Sequence, residues 1–159
     1  MLHLIPAPLH RLGLRLAHGV RRRWWRLAQV QLEGCRVLAI DSSGRVLLIR
    51  HSYGSGNWLL PGGGIARGEA PLAAAQRELA EETGLQLVQA QCLAVIDEPL
   101  YGTTNRVHLV WGRAQGELCC DGREVIAARF FSATDWPPDL SPRLAEQLDG
   151  WLALIRAAG

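Results

Sequence analysis

Hydrophobic and polar positions repeat with two different periods along this chain, and the changes of period mark its elements. Leu9, Leu12, Leu16, Val20, Trp24 and Leu27 recur at three- and four-residue steps, as on one face of a helix. Arg11, Arg15, Arg22 and Arg26 recur on another face, while Gly13 and Gly19 each weaken that helix by about 1 kcal/mol relative to Ala. Two aliphatic, β-rich runs, Cys35–Ile40 and Val46–Arg50, flank the turn residues Asp41-Ser42-Ser43-Gly44 and predict a hairpin. After a polar, glycine-rich loop over His51–Asn57, Trp58-Leu59-Leu60 reads as a short strand stopped by Pro61-Gly62-Gly63-Gly64. The segment from Pro71 to Thr83 predicts a helix. Proline suits its first turn, Ala73 to Ala75 are strong helix formers, and Gly84 stands where a helix stops. Strands are expected at about 86–97 and 106–114, with a loop at Pro99–Asn105 between them, and again at Val125–Phe131. Asp135-Trp136-Pro137-Pro138 breaks the chain, and Ser141-Pro142 opens a final helix to about Ala157. Helices interspersed among strands predict an α/β or α+β sandwich.

Composition narrows the chemistry. The 159 residues, 48% hydrophobic and 20% charged, are enough for one domain with a real core. Every basic residue is arginine. The absence of lysine excludes a phosphate-loop lysine, a Schiff-base lysine and a kinase-type lysine. The net charge of +2 hides a split: residues 1–36 hold seven Arg against one acid (+6), and residues 37–159 hold ten Arg against fourteen acids (−4). Cys35, Cys92, Cys119 and Cys120 show no C-x-x-C spacing and no secretory signal precedes them, so reduced thiols in a cytoplasm are expected. No apolar run is long enough to span a membrane.

The acids of the body are not evenly spread. Glu78, Glu81 and Glu82 stand at i, i+3 and i+4 on the 71–83 helix and project from one stripe. Like charges at that spacing cost about 0.2–0.5 kcal/mol, and acids in a last turn oppose the helix dipole by about 0.3–1 kcal/mol each. Arg77 offsets part of this. A divalent cation would reverse the sign of every such contribution, and carboxylate oxygens are hard ligands suited to Mg²⁺ or Mn²⁺. Gly62-Gly63-Gly64, just ahead of the helix, lets backbone approach a ligand closely.

These residues resemble a known signature. Gly63, five residues, Glu69, seven residues, Arg77-Glu78-Leu79-Ala80-Glu81-Glu82-Thr83-Gly84-Leu85 is similar at every defining position to the 23-residue box of the Nudix hydrolases. Trp58-Leu59-Leu60-Pro61 before the box, and Phe130-Phe131 ahead of a Trp-Pro segment after it, extend the likeness over about 34–157. The resemblance implies an α/β/α sandwich around a mixed β-sheet, with the Nudix domain over 34–159. Residues 1–33 then form an extra basic, amphipathic N-terminal helix. It implies hydrolysis of a nucleoside diphosphate linked to another moiety, with Mg²⁺ or Mn²⁺ as cofactor. Glu78, Glu81 and Glu82 would be metal ligands, joined by the Gly63 carbonyl. Arg77 would orient the glutamates and Glu69 would support the box. The group that takes the proton from water varies in this family. Glu124, Glu117, Asp97 and Glu98 are candidates, with Glu124 preferred because it precedes a late strand.

Substrate contacts are expected from Arg50, Tyr53, Trp58, Tyr101 and Arg106, with His51 and Asn105 as further pocket residues, since Arg suits phosphate and aromatic faces stack on bases. ADP-ribose-like, dinucleoside polyphosphate and oxidised nucleoside triphosphate substrates all remain open. So does a different class, a nucleotide-sensing module that keeps the fold without turnover. For the basic head, packing on the domain or on a second subunit competes with contact to a membrane surface or a nucleic acid.

Overall fold

Strand β1 (Leu32–Ile40) and strand β2 (Val46–His51) form the predicted hairpin, and Asp41 shapes its turn. The Asp41 carboxylate accepts the backbone N–H groups of Ser43 and Arg45 at 2.9 Å and pairs with the Arg45 guanidinium. The two strands meet in register at Ile40 and Val46 and then part. Residues 59–65 fill the gap. Leu59 exchanges both backbone hydrogen bonds with Ile49 of β2, while the Pro61 and Gly63 carbonyls accept the N–H groups of Val37 and Cys35 of β1 at 2.8 and 2.9 Å. The expected 58–60 strand is therefore a bridge inside a split sheet. The computed structural model describes residues 32–100, 103–120, 122 and 124–158. The helix expected over the basic head lies outside these described residues.

Helix α1 (Pro71–Thr83) begins on its proline and ends at Gly84, whose left-handed backbone donates to the Ala80 carbonyl. Strand β3 (Gln86–Leu100), strand β4 (Thr103–Gln115), strand β5 (Val125–Phe131) and helix α2 (Pro142–Ala158) follow. The sheet order is β3-β4-β1-β2-β5. β1 and β4 run parallel and the other neighbours antiparallel, so the sheet is mixed. One expectation is corrected here: Pro99–Asn105 is not an open loop. Glu98 pairs with Asn105 and Pro99 with Thr104 as the two strands run on. Proline is tolerated because β3 is the outermost strand, where a missing N–H need cost no ladder bond.

Alternation along β1 sorts the core into two layers. Cys35, Val37 and Ala39 pack with Ala74, Ala75 and Leu79 of α1, and Leu38 and Ile40 pack with Leu144, Leu148 and Trp151 of α2. A helix on each face of a mixed sheet is the α/β/α arrangement expected. Among the described residues no helix is long and apolar enough to cross a membrane.

Candidate active site

The split between β1 and β2 brings the glycine segment against the last turns of α1. Gly62 has φ +147°, and a Cβ there would collide with the Cys35 carbonyl. A Cβ on Gly63 would stand 2.5–2.6 Å from the Glu78 carboxylate. Only a bare backbone fits between strand and helix at these positions. In return the Gly62 N–H donates to Glu82 Oε2 at 2.9 Å, and His51 Nε2 lies 3.6 Å from Glu82 Oε1.

Arg77 gathers the other acids. Its guanidinium donates to both Glu69 oxygens at 2.8 and 2.9 Å, to Glu78 Oε1 at 2.7 Å and to the Gly64 carbonyl at 3.1 Å. Glu81 Oε2 is 3.4 Å away on the exposed side. Glu69 in turn accepts the Ala66 N–H at 2.8 Å, which fixes the loop entering the helix.

The electrostatics follow from this sharing. The Arg77 hydrogen bonds hold the Glu69 carboxyl down at about 2. Burial pushes Glu78 up despite its bond to Arg77. Glu82 goes furthest, to about 8: burial raises it most, the Gly62 N–H opposes that, and the negative charges of Glu78, Glu124 and Glu81 add to the rise. Three carboxylates share one guanidinium, and the least solvated of the helix acids, Glu82, is faced among the described residues by the Gly62 N–H and the His51 imidazole. The donor set suits a hard divalent cation, which would supply the missing positive charge. Among the described residues no three such side chains already converge as ligands, because Glu78 and Glu81 lean on Arg77 and Glu82 on Gly62. The Gly63 carbonyl accepts the Cys35 N–H and keeps one lone pair over.

A cleft of about 1160 Å³ opens beside this cluster, with the 62–70 loop, His51, Arg36, Asn105 and Arg143 among its lining. The sequence candidates divide around it. Tyr53 stacks on His51 with ring centroids 4.9 Å apart, one side chain removed from Glu82. Glu124 immediately precedes β5, close enough for its charge to act on Glu82, and its backbone carbonyl accepts the Ser52 N–H. Arg50 and Trp58 do not line the cleft: the Arg50 guanidinium pairs with Asp139 and lies 4.8 Å over the Trp58 ring, and Trp58 meets Phe131 edge-on. Trp58 and the Asp139 partner of Arg50 border a separate hollow of about 290 Å³. Arg106 pairs with Asp97 across the exposed β3–β4 ladder. Tyr101 lies outside the described residues. Of the other proton acceptors considered, Glu98 is buried and bound by Arg36, and Glu117 is exposed.

Sequence reasoning missed the Arg36, Glu98 and Arg143 contacts, because the partners are 62 and 45 positions apart. One local signal was available: Arg143 occupies the first turn of α2, where a cation opposes the helix dipole.

A helix on each face of a split mixed sheet, with a glycine segment feeding a carboxylate helix, defines a class, and comparison with known proteins agrees on which. The NUDIX domain family model matches residues 31–153. A Mycobacterium tuberculosis (strain H37Rv) protein assigned as 8-oxo-dGTP diphosphatase 2 is 36% identical over 118 residues, spanning 67% of this chain and 75% of that protein. A Bacillus subtilis protein assigned as an 8-oxo-dGTP diphosphatase is 28% identical over 118 residues, covering 74% and 77%. The crystal structure of the MutT NUDIX hydrolase from Burkholderia pseudomallei superimposes with a TM-score of 0.67 at 28% identity, over 76% of this chain and 97% of that one. The chain belongs to the Nudix hydrolase family.

Proposed function

We propose that this protein is a divalent-metal-dependent pyrophosphohydrolase acting on nucleoside triphosphates, with oxidised-base triphosphates as the preferred class. The carrying observation is the carboxylate cluster beside a nucleotide-sized cleft, with Glu82 nearly buried and, among the described residues, no guanidinium on it. The assignments of the Mycobacterium and Bacillus relatives support the choice of substrate class.

In this reading Glu78, Glu81 and Glu82 hold Mg²⁺ or Mn²⁺, with the Gly63 carbonyl beside them. The bound ion supplies neutralisation of phosphate charge and a more acidic water. Arg77 keeps Glu78 and Glu81 on one side of the helix while binding Glu69, so the loop and the ligands move as one unit. The Gly62 N–H orients Glu82. Glu124 accepts the proton of the attacking water through its carboxylate, and Tyr53, stacked on His51, closes that end of the site. The cysteines act in none of these steps.

The test is a substrate panel with Mg²⁺ and Mn²⁺: 8-oxo-dGTP, dGTP, dATP, ADP-ribose and a dinucleoside polyphosphate, with product analysis to show which bond breaks. Turnover of 8-oxo-dGTP to the monophosphate and pyrophosphate, abolished in Glu82→Gln, is expected. Absence of turnover on every member would leave the sensing module as the better reading.

A further inference from the structure

A second charged group stands on the α2 side of the sheet, and two of its members, Arg36 and Arg143, line the cleft. Arg36 of β1 donates to both oxygens of Glu98 of β3, at 2.8 and 2.7 Å, across the intervening strand β4. Glu98 is 4% exposed. Arg143 approaches the same carboxylate from the first turn of α2, but only to 3.7 Å, and its side chain remains 47% exposed. Among the described residues its guanidinium makes no closer polar contact. Glu98 therefore spends its oxygens on Arg36 and attracts Arg143 by charge alone, which aims the Arg143 fork without using its donors. Apolar Val107 and Leu144 and the Asn105 side chain also line the cleft.

Arg36, Arg143 and Glu98 together carry one surplus positive charge, while the α1 cluster of Glu69, Glu78, Glu81 and Glu82 around Arg77 has surplus negative charge. A nucleotide that brings its phosphates to the α1 carboxylates, through a divalent ion, lays its base against the guanidinium group. Guanidinium is a donor with no accepting atom, so it favours a base edge of keto oxygens and opposes one carrying an amino group.

We propose that Arg143 is the specificity-determining residue of this cleft, selecting 6-oxopurine over 6-aminopurine nucleotides, with Glu98 and Arg36 as positioning residues that aim it. The proposal rests on the reading of the cleft as a nucleotide site, and it deepens that reading by assigning base selection. A well-made bidentate contact of this kind discriminates by about 1–3 kcal/mol, or roughly 5- to 150-fold.

The experiment measures binding of dGMP, 8-oxo-dGMP and dAMP to the metal-free protein by calorimetry or NMR titration, so that it does not depend on turnover. The wild type should bind dGMP and 8-oxo-dGMP at least about fivefold more tightly than dAMP. Arg143→Leu should reduce that ratio to near one by weakening the oxopurines, with dAMP affinity little changed. Arg143→Lys should restore part of the ratio, and Glu98→Gln should lower it while thermal melts confirm the fold. Equal binding of all three by the wild type, no binding of any at millimolar concentration, or an unaltered ratio in Arg143→Leu would overturn the proposal. So would an equal loss for dGMP and dAMP, which would make Arg143 a phosphate contact. Base selection without hydrolysis would sink the catalytic reading alone, and hydrolysis with selection indifferent to Arg143 would sink this one alone.

Discussion

Helix α1 ends on three carboxylates and helix α2 begins on a guanidinium, so both carry charge at the end where the helix dipole disfavours it. The two ends are resolved differently. At α2 the chain supplies the remedy itself, since Glu98 faces Arg143 from the sheet. At α1 the single Arg77 is shared among Glu69, Glu78 and Glu81, and among the described residues Glu82 receives the Gly62 N–H and the His51 ring. A charge conflict satisfied from within needs no visitor to be stable. One left over, beside a cleft, is where an external cation lowers the free energy most.

The sharpest probe of the α1 end is Glu124. Its negative charge helps to raise Glu82, and we assign it the proton of the attacking water. Glu124→Gln should lower kcat by about 10²- to 10⁴-fold while KM changes little. The same change should make Glu82 easier to ionise. Wild-type kcat in this variant would move the base elsewhere and reduce Glu124 to an electrostatic neighbour.

A smaller effect separates the ends by pH. Glu82 takes its proton at about 8 in the metal-free fold, against an ordinary 4.5, chiefly because it is buried. The fold therefore favours its neutral form. The associated stability is complete below about pH 4.5 and is lost as pH rises towards about 8. Glu78 is raised in the same sense, whereas Glu69, held near 2 by Arg77, acts in the opposite sense at lower pH. Melting temperature measured in chelator should fall across pH 5 to 8, and Glu82→Gln should flatten that fall. Saturating Mg²⁺ should reverse it, because the ion binds the deprotonated carboxylates. A metal-free melting temperature that is independent of pH over this range would break the contrast between the two ends.

How much of this was legible in the sequence follows from how local each feature is. Helix α1 was readable to its last residue because Pro71, the alanines and Gly84 act within the segment itself. The 41–44 turn and strand β5 were readable for the same reason. The parting of β1 and β2 was not, since the segment that fills the gap pairs with both strands and neither shows a break in its own pattern. Pro99 was misleading: proline forbids a central strand but not an edge, and edge position is a property of the whole sheet. The α1 half of the site was visible because its acids share one helix. The Arg36–Glu98–Arg143 half joins three elements, and Arg50 and Trp58, plausible on chemistry alone, turn out to satisfy Asp139 and Phe131.

The smallest expected effect tests whether the α2 end is as self-sufficient as it looks. Arg36 and Arg143 both face Glu98, but only Arg36 hydrogen-bonds it. Removing Arg36 leaves a buried carboxylate with a single distant cation, so Arg36→Ala should cost about 3 kcal/mol, the lower part of the range for breaking a buried pair, because Arg36 is one-third exposed. Removing Arg143 loses a half-exposed attraction and at the same time relieves a dipole conflict of about 0.3–1 kcal/mol. Arg143→Ala should therefore shift stability by less than about 1 kcal/mol, measured by urea denaturation at unchanged m-value. A cost for Arg143→Ala equal to that of Arg36→Ala would mean that Glu98 depends on both guanidiniums, and that the Arg143 donors are already committed to the fold.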